Sequence, residues 1–224
     1  MGRTSNSKQR LLTAASDLLW EKSYHSVTVD EVRARAGVKK ASLYHFFDSK
    51  RVLTRAALQH FWEKVAKPAY EKHFSLPNPP LTRITNFLNW LQGLQREKFR
   101  NIGRVPGWLF FTLGCELGTH EPTVSEELYK IEAAELRYFE SAIRDAFDQN
   151  VMGQSNPRIA AISLRAAVEG LLARARILND PDELSPLTEL PINILPLSPH
   201  GTATSLSAGR SSRNRSAHAR NPGQ

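Results

Sequence analysis

Lys39, Lys40, Ser42, Tyr44 and His45 fall within seven consecutive positions, and Lys50 follows closely. Two ammonium groups, a hydroxyl, a phenol and an imidazole set so close together can donate to phosphate oxygens and read the edges of base pairs. Lys39, Tyr44 and Lys50 suit phosphate contacts, which position a protein on a duplex. Lys40, Ser42 and His45 are the candidates for base edges. Elsewhere the chain offers no Ser-His-Asp set, glycine-rich phosphate loop or matched carboxylate pair, so it reads as a non-enzyme needing no cofactor. Glu116 and His120 share a helical face, but two ligands without a third make no metal site.

The elements around these residues fit that use. From Lys8 to Lys22, Leu11, Leu12, Ala15, Leu18 and Leu19 recur at helical intervals and predict a first helix. Thr28 followed by Glu31 is a capping box opening a short second helix that stops at Gly37. The segment Lys39–Phe47 predicts a third short helix with Leu43, Phe46 and Phe47 inward, leaving the polar residues outward. Asp48 or Ser49 caps a fourth helix reaching Pro68, where it bends or ends. Two short helices joined by a tight glycine turn, flanked by one helix before and a long one after, make a helix-turn-helix.

Charge follows the same division. Residues 1–60 carry 11 basic and 5 acidic side chains, residues 61–184 carry 15 and 16, and residues 185–224 carry 4 and 1. A basic first quarter on a neutral body is the footprint of a nucleic-acid-binding module. One cysteine in 224 residues excludes an internal disulfide and a multi-cysteine metal site. The first 20 residues lack the apolar stretch of an export signal, Asn6 stands where an N-myristoylation site needs Ser or Thr, and the apolar window Val105–Cys115 is too short to span a bilayer. A cytoplasmic protein with no membrane partner is the expectation.

The remainder predicts an all-α body. Helical periodicity returns at Ile84–Leu91, Trp108–Leu117, Val124–Asn150 and Arg158–Leu178, and no stretch alternates with period two. Trp62, Phe87, Trp90, Trp108, Phe111 and Tyr138, with Glu116, are candidate lining for a small-molecule effector pocket, core packing being the competing use of each aromatic. Cys115 is expected to be a buried small side chain. The resulting organisation is a DNA-binding unit over 1–50, a connecting helix over 51–67, a ligand-binding and dimerisation body over 68–184, and a disordered Pro/Ser/Arg-rich tail over 185–224.

Tyr24–Val32 followed by Ala36–Lys50 resembles the N-terminal signature of the TetR family of transcriptional regulators, over about residues 8–60. The resemblance implies a homodimer on double-stranded DNA with a palindromic operator, a recognition helix near Lys39–His45, and phosphate contacts from Thr28, Tyr44 and Lys50. Ser23 and Phe46 depart from the residues many members carry, Gly and His respectively. More loosely, Gly103–Leu109 and Glu169–Ala175 resemble one subgroup of the family, in which Cys often replaces Trp108. From these features the expected function is a ligand-responsive repressor released from its operator by an inducer, the alternative being a DNA-binding architectural or regulatory protein without a ligand.

Overall fold

The computed structural model describes residues 2–153 and 155–198, with side chains from Asn6 onward. Helix α1 (Gly2–Glu21) buries Leu11, Ala15, Leu18, Leu19 and Trp20. Helices α2 (Val29–Ala36), α3 (Lys40–Phe46) and α4 (Lys50–Phe61) close around that face. The Thr28 hydroxyl accepts from Glu31 N while the Glu31 carboxylate accepts from Thr28 N, so α2 begins at a complete capping box. Its end is equally well defined. Gly37 adopts φ 60°, and the amides of Gly37 and Val38 return to Ala34 O and Arg33 O, which fixes the sharp turn into α3.

The fourth helix does not stop at Pro68. After α4, residues Trp62–Ala66 form one widened turn and α5 (Lys67–His73) continues through the proline. Proline lacks an amide and crowds the carbonyl four residues back; the widened turn, closed from Lys67 N to Trp62 O, accommodates both. The same rod therefore runs from the edge of the helix-turn-helix deep into the body.

The body is built from α6 (Pro80–Ile102), α7 (Leu109–Leu117), α8 (Pro122–Asp148) and α9 (Pro157–Leu178), and α8 packs against α4, α6, α7 and α9. Proline at the first position starts each of α6, α8 and α9, where a missing amide has no consequence. Between α6 and α7 runs the irregular segment 103–108. Gly103 and Gly107 hold φ of 69° and 72° there, a left-handed backbone that side-chain-bearing residues rarely adopt. The fold is all-α, and among the described residues the β-type pairing is limited to a single Met152–Leu197 bridge.

Over residues 185–198 the expectation of a disordered tail is corrected. Pro181–Glu189 forms a 3-10 helix and α10 (Leu190–Ile194) follows, packed on α6 and α9. Leu184, Leu187, Pro191 and Leu195, spaced three or four apart, bury their side chains, and the prolines fall where a short helix or a 3-10 turn tolerates a missing amide. The arginine-bearing remainder, 199–224, lies outside the described residues.

Candidate nucleic-acid interface

Helix α3 turns Leu43 into the core, with Phe47 beside it, and leaves Lys39, Lys40, Tyr44 and His45 exposed; Ser42 is half-buried. Lys39 stands in extended backbone immediately before the helix, so its side chain extends the same surface. Tyr44 is 52% exposed, which leaves its hydroxyl free to meet a partner surface. Phe46, half-buried, meets the His45 ring edge-on at 5.0 Å. From Gly37 to Phe47 there is no carboxylate, so a phosphate approaching this face meets no like charge on it.

Thr28 and Lys50, the other two candidates, both have partners within the protein. The Thr28 hydroxyl, besides accepting from Glu31 N at 3.1 Å, lies 3.3 Å from Glu31 Oε2. The Glu31 carboxyl is held down at about 2, first by its 2.7 Å bond from Lys22 and then by the Thr28 amide. Lys50 Nζ donates to Tyr24 O at 2.5 Å and sits 4.1 Å above the Tyr24 ring. Burial lowers its pKa, and Glu116 and Glu31 oppose that shift. In this state Lys50 anchors the 22–27 loop rather than reaching outward for phosphate.

That loop is tied to the body by a residue expected elsewhere. Glu116, a candidate pocket residue, lines neither cavity described below; its Oε2 accepts from Tyr24 N at 2.7 Å and its Oε1 from His25 N at 3.0 Å, with His25 Nδ1 at 2.6 Å. Burial alone would raise the Glu116 pKa, but these hydrogen bonds outweigh it and hold the carboxyl below its ordinary value. The reason it misses the pocket is register: Leu109, Leu113 and Leu117 take the inward face of α7, leaving 115 and 116 elsewhere. Cys115 is for the same reason exposed, not buried.

A second tie joins α1 to the 103–108 segment. Trp20 Nε1 donates to Gly107 O at 2.8 Å, and Gln95 grips both backbone groups of the same residue, donating to Gly107 O at 2.9 Å and accepting from Gly107 N at 3.0 Å. Asn179 holds Val105 N and Gly103 O, and Arg176 donates to Pro106 O. Next along the chain, Trp108 Nε1 donates to Glu135 Oε1 at 2.9 Å.

Glu135 belongs to a buried polar cluster that sequence reasoning missed. Tyr70 OH donates to Glu135 Oε1 at 3.2 Å, and Arg165 Nη2 reaches Glu132 at 2.6 Å, Glu169 at 2.7 Å and Glu135 at 3.1 Å. Burial pushes the Glu135 carboxyl up to about 7 against the opposing pull of Arg165. The surrounding cavity, walled by Phe87, Leu91, Trp108 and Phe139, has room for about one water, and the buried Arg165 Nε has no partner among the described residues. The available signal was a charge within an apolar stripe: Glu135 with Leu128, Ile131, Phe139 and Ala142, and Arg165 with Ala161, Val168 and Leu172.

The pocket candidates thus separate. Phe87 and Trp108 line the small cavity, whereas Trp62 and Tyr138 line a groove of about 490 Å³ beside α8. Trp90 packs edge-on against Trp108 at 6.4 Å, and Phe111 is half-buried; both lie apart from these two cavities.

Residues 11–57 match the model of the bacterial regulatory proteins of the tetR family. Transcriptional regulator AcuR of Cereibacter sphaeroides is 28% identical over 182 residues, spanning 80% of this chain and 81% of that protein. A solved regulatory protein TetR from Rhodobacter sphaeroides is 26% identical, with TM-score 0.74 over 84% of this chain and 97% of its own. The chain thus carries the DNA-binding region of the tetR-family regulators and is similar along most of its length to members of that family. It is a DNA-binding transcription regulator, and α2–α3 is its helix-turn-helix. Other similarities also extend along most of the chain. The HTH-type transcriptional repressor DhaR of a Mycobacterium species is 23% identical over 76% of this chain and 82% of that protein. A TetR-family regulator from Agrobacterium tumefaciens shares the fold, with TM-score 0.76 at 17% identity over 87% of this chain and all of its own. No helix among the described residues is long and apolar enough to cross a membrane.

Proposed function

We propose that this chain is a ligand-responsive repressor of the TetR family that binds a palindromic operator as a homodimer. The supporting observation is the outward set on and beside α3, in which Lys39, Lys40, Tyr44 and His45 are exposed together over a buried Leu43. In this reading residues 1–50 are the DNA reader, α4 with α5 is the connector, and the helices beyond it form the effector and dimerisation body. Lys40, Ser42 and His45 face base edges; Thr28, Lys39 and Tyr44 contact phosphate, joined by Lys50 when it leaves Tyr24.

Dimerisation is supported by a continuous exposed stripe of apolar and small residues on α9: Ile159, Ile162, Ala166, Gly170 and Ile177. Small residues allow close approach of a second helix, and a two-fold pair would set two readers about 34 Å apart on successive major grooves. Response to a ligand is supported by the two ties between reader and body, Glu116 to the 24–25 amides and Trp20 to Gly107. A ligand favouring one arrangement of the body thereby biases the spacing of the readers, a coupling typically worth about 1–3 kcal/mol, or roughly 5- to 150-fold in affinity.

Selection of duplexes from a random pool tests the reader. Enrichment of a two-fold symmetric sequence is expected, and equal retention of all sequences would overturn it. Thermal shift across a metabolite panel, followed by operator release with any compound that stabilises the protein, tests the response. A panel without any shift would favour the regulator that takes no ligand.

A further inference from the structure

We propose that the groove between α5, the start of α6 and α8 is a binding site for a planar aromatic carboxylate, separate from the small central cavity. The inference rests on the ligand-responsive reading and says where and what the effector is. Three features point to it. The first is size: about 490 Å³ lies within the roughly 300–1,000 Å³ range of small-molecule pockets, whereas the central cavity holds about one water.

The second is shape. On α8, Ala134, Ser141 and Ala142 are short side chains that leave a hollow beneath Tyr138, while Trp62 and Phe74 face it from the α4–α5 rod. Phe74 and Tyr138 stand with ring centroids 5.7 Å apart and planes 54° from each other, so the hollow is bounded by ring surface suited to a flat apolar body.

The third is charge. Lys67, Arg83 and Arg137 line the groove and no carboxylate does. The acids nearest these cations lie outside the lining: Glu63 pairs with Lys67 at 3.3 Å, Asp145 pairs with Arg83, and Glu71 stands near Tyr138 on the α5 side. Arg83 is fixed by the carbonyls of Asn78 and Leu76, at 2.8 and 3.1 Å, and its charge is offset by Asp145, so the cation offered to a ligand is Arg137. Arg137 is exposed at the rim, placed to close on a carboxylate through paired N–H donors.

A chain of contacts links the groove to the reader. Tyr138 stacks on Tyr70 at 5.0 Å; Tyr70 OH and Trp108 Nε1 both donate to Glu135 Oε1; and Trp108 follows Gly107, the acceptor of Trp20. A ring inserted beside Tyr138 pushes on that chain of contacts at its outer end.

Calorimetric titration of the full-length protein with 2-naphthoate, 2-naphthylmethanol and 2-naphthylmethylamine tests the site. The three probes share one ring system and differ in charge. Naphthoate is expected to bind at least about tenfold tighter than the other two, because one charge-assisted pair is gained. Arg137→Glu, which reverses the rim charge, and Ser141→Trp, which fills the hollow from an exposed position, should each weaken naphthoate by about tenfold or more. Equal affinity across the three probes, unchanged affinity in both variants, or no binding of naphthoate at millimolar concentration would overturn the proposal. The variants also separate this site from the ligand-responsive reading itself. Metabolites that stabilise wild type and both variants alike and release operator from each would refute the groove alone, while a panel that neither stabilises wild type nor releases DNA would refute the wider reading.

Discussion

The helix-turn-helix and the body solve opposite problems with the same helical material. Around α1–α4 apolar residues point inward and cations outward, and interior polar groups are few. In the body, Glu135 at 0% and Arg165 at 6% exposure stand among Phe87, Phe139 and Leu172. A surface that recognises phosphate keeps its charges in water until the partner arrives. A buried charge must find its counter-charge inside the protein, and its removal is correspondingly costly.

The largest effect is therefore expected at Arg165. Arg165→Met leaves Glu135 buried with Tyr70 and Trp108 but without its cation, and should lower unfolding stability by about 3–5 kcal/mol near pH 7.5 in urea denaturation. The loss should shrink toward pH 5.5. Glu135 titrates near 7 in the folded protein against an ordinary 4.5, so between those values the native state holds more protons than the unfolded state. Its contribution to stability is thus present at low pH and lost as pH rises through about 7. A pH-independent loss, or one below about 1 kcal/mol, would break the contrast between the two regions.

At the reader the expected effects are on DNA. Lys40→Ala should weaken specific binding by about 1–3 kcal/mol while leaving stability unchanged, as measured by anisotropy against selected and scrambled duplexes. Lys50→Ala sharpens the comparison because two roles compete for that side chain. If it leaves Tyr24 to neutralise phosphate, the variant lowers affinity for all sequences and reduces the salt slope by about 1. If it stays on the Tyr24 carbonyl, the slope is unchanged and the amides of the 22–27 loop lose protection from exchange.

What could be read from sequence follows the same line. The capping box at Thr28, the stop at Gly37 and the inward Leu43 are local signals, each decided within a few residues, and the all-α class follows from periodicity. The α3 surface was legible because solvent-facing residues keep their polarity. Glu135 and Arg165 were not, since they are 30 residues apart and each alone resembles a misplaced charge in an apolar stripe. Glu116 was read as a pocket residue because its partners are main-chain amides at 24 and 25, which no side-chain pattern reports. Continuation through Pro68 needed a widened turn, and the order at 185–198 needed partners on α6 and α9.

Glu116→Gln probes the join between the regions. The amide side chain keeps one acceptor oxygen but loses the charge, so about 1–2 kcal/mol of stability should be lost. The amides of Tyr24 and His25 should exchange faster while those of α8 keep their protection. Unchanged exchange at 24 and 25 would mean that the loop is held without this tie.

The smallest effect separates two uses of one hydroxyl. Thr28→Ala removes the cap of α2 and should cost about 1 kcal/mol of stability, whereas Thr28→Asn, which caps equally well, should cost little. If Thr28 is only a cap, operator affinity well below the melting temperature follows stability and recovers in the Asn variant. If its hydroxyl also meets a phosphate, the geometry of that contact is lost in both variants, and affinity falls in both by about 0.5–1.5 kcal/mol. The salt slope should stay constant in either case, because no charge leaves the interface; a reduced slope would mean that the substitution shifts α2 and with it the cations of α3.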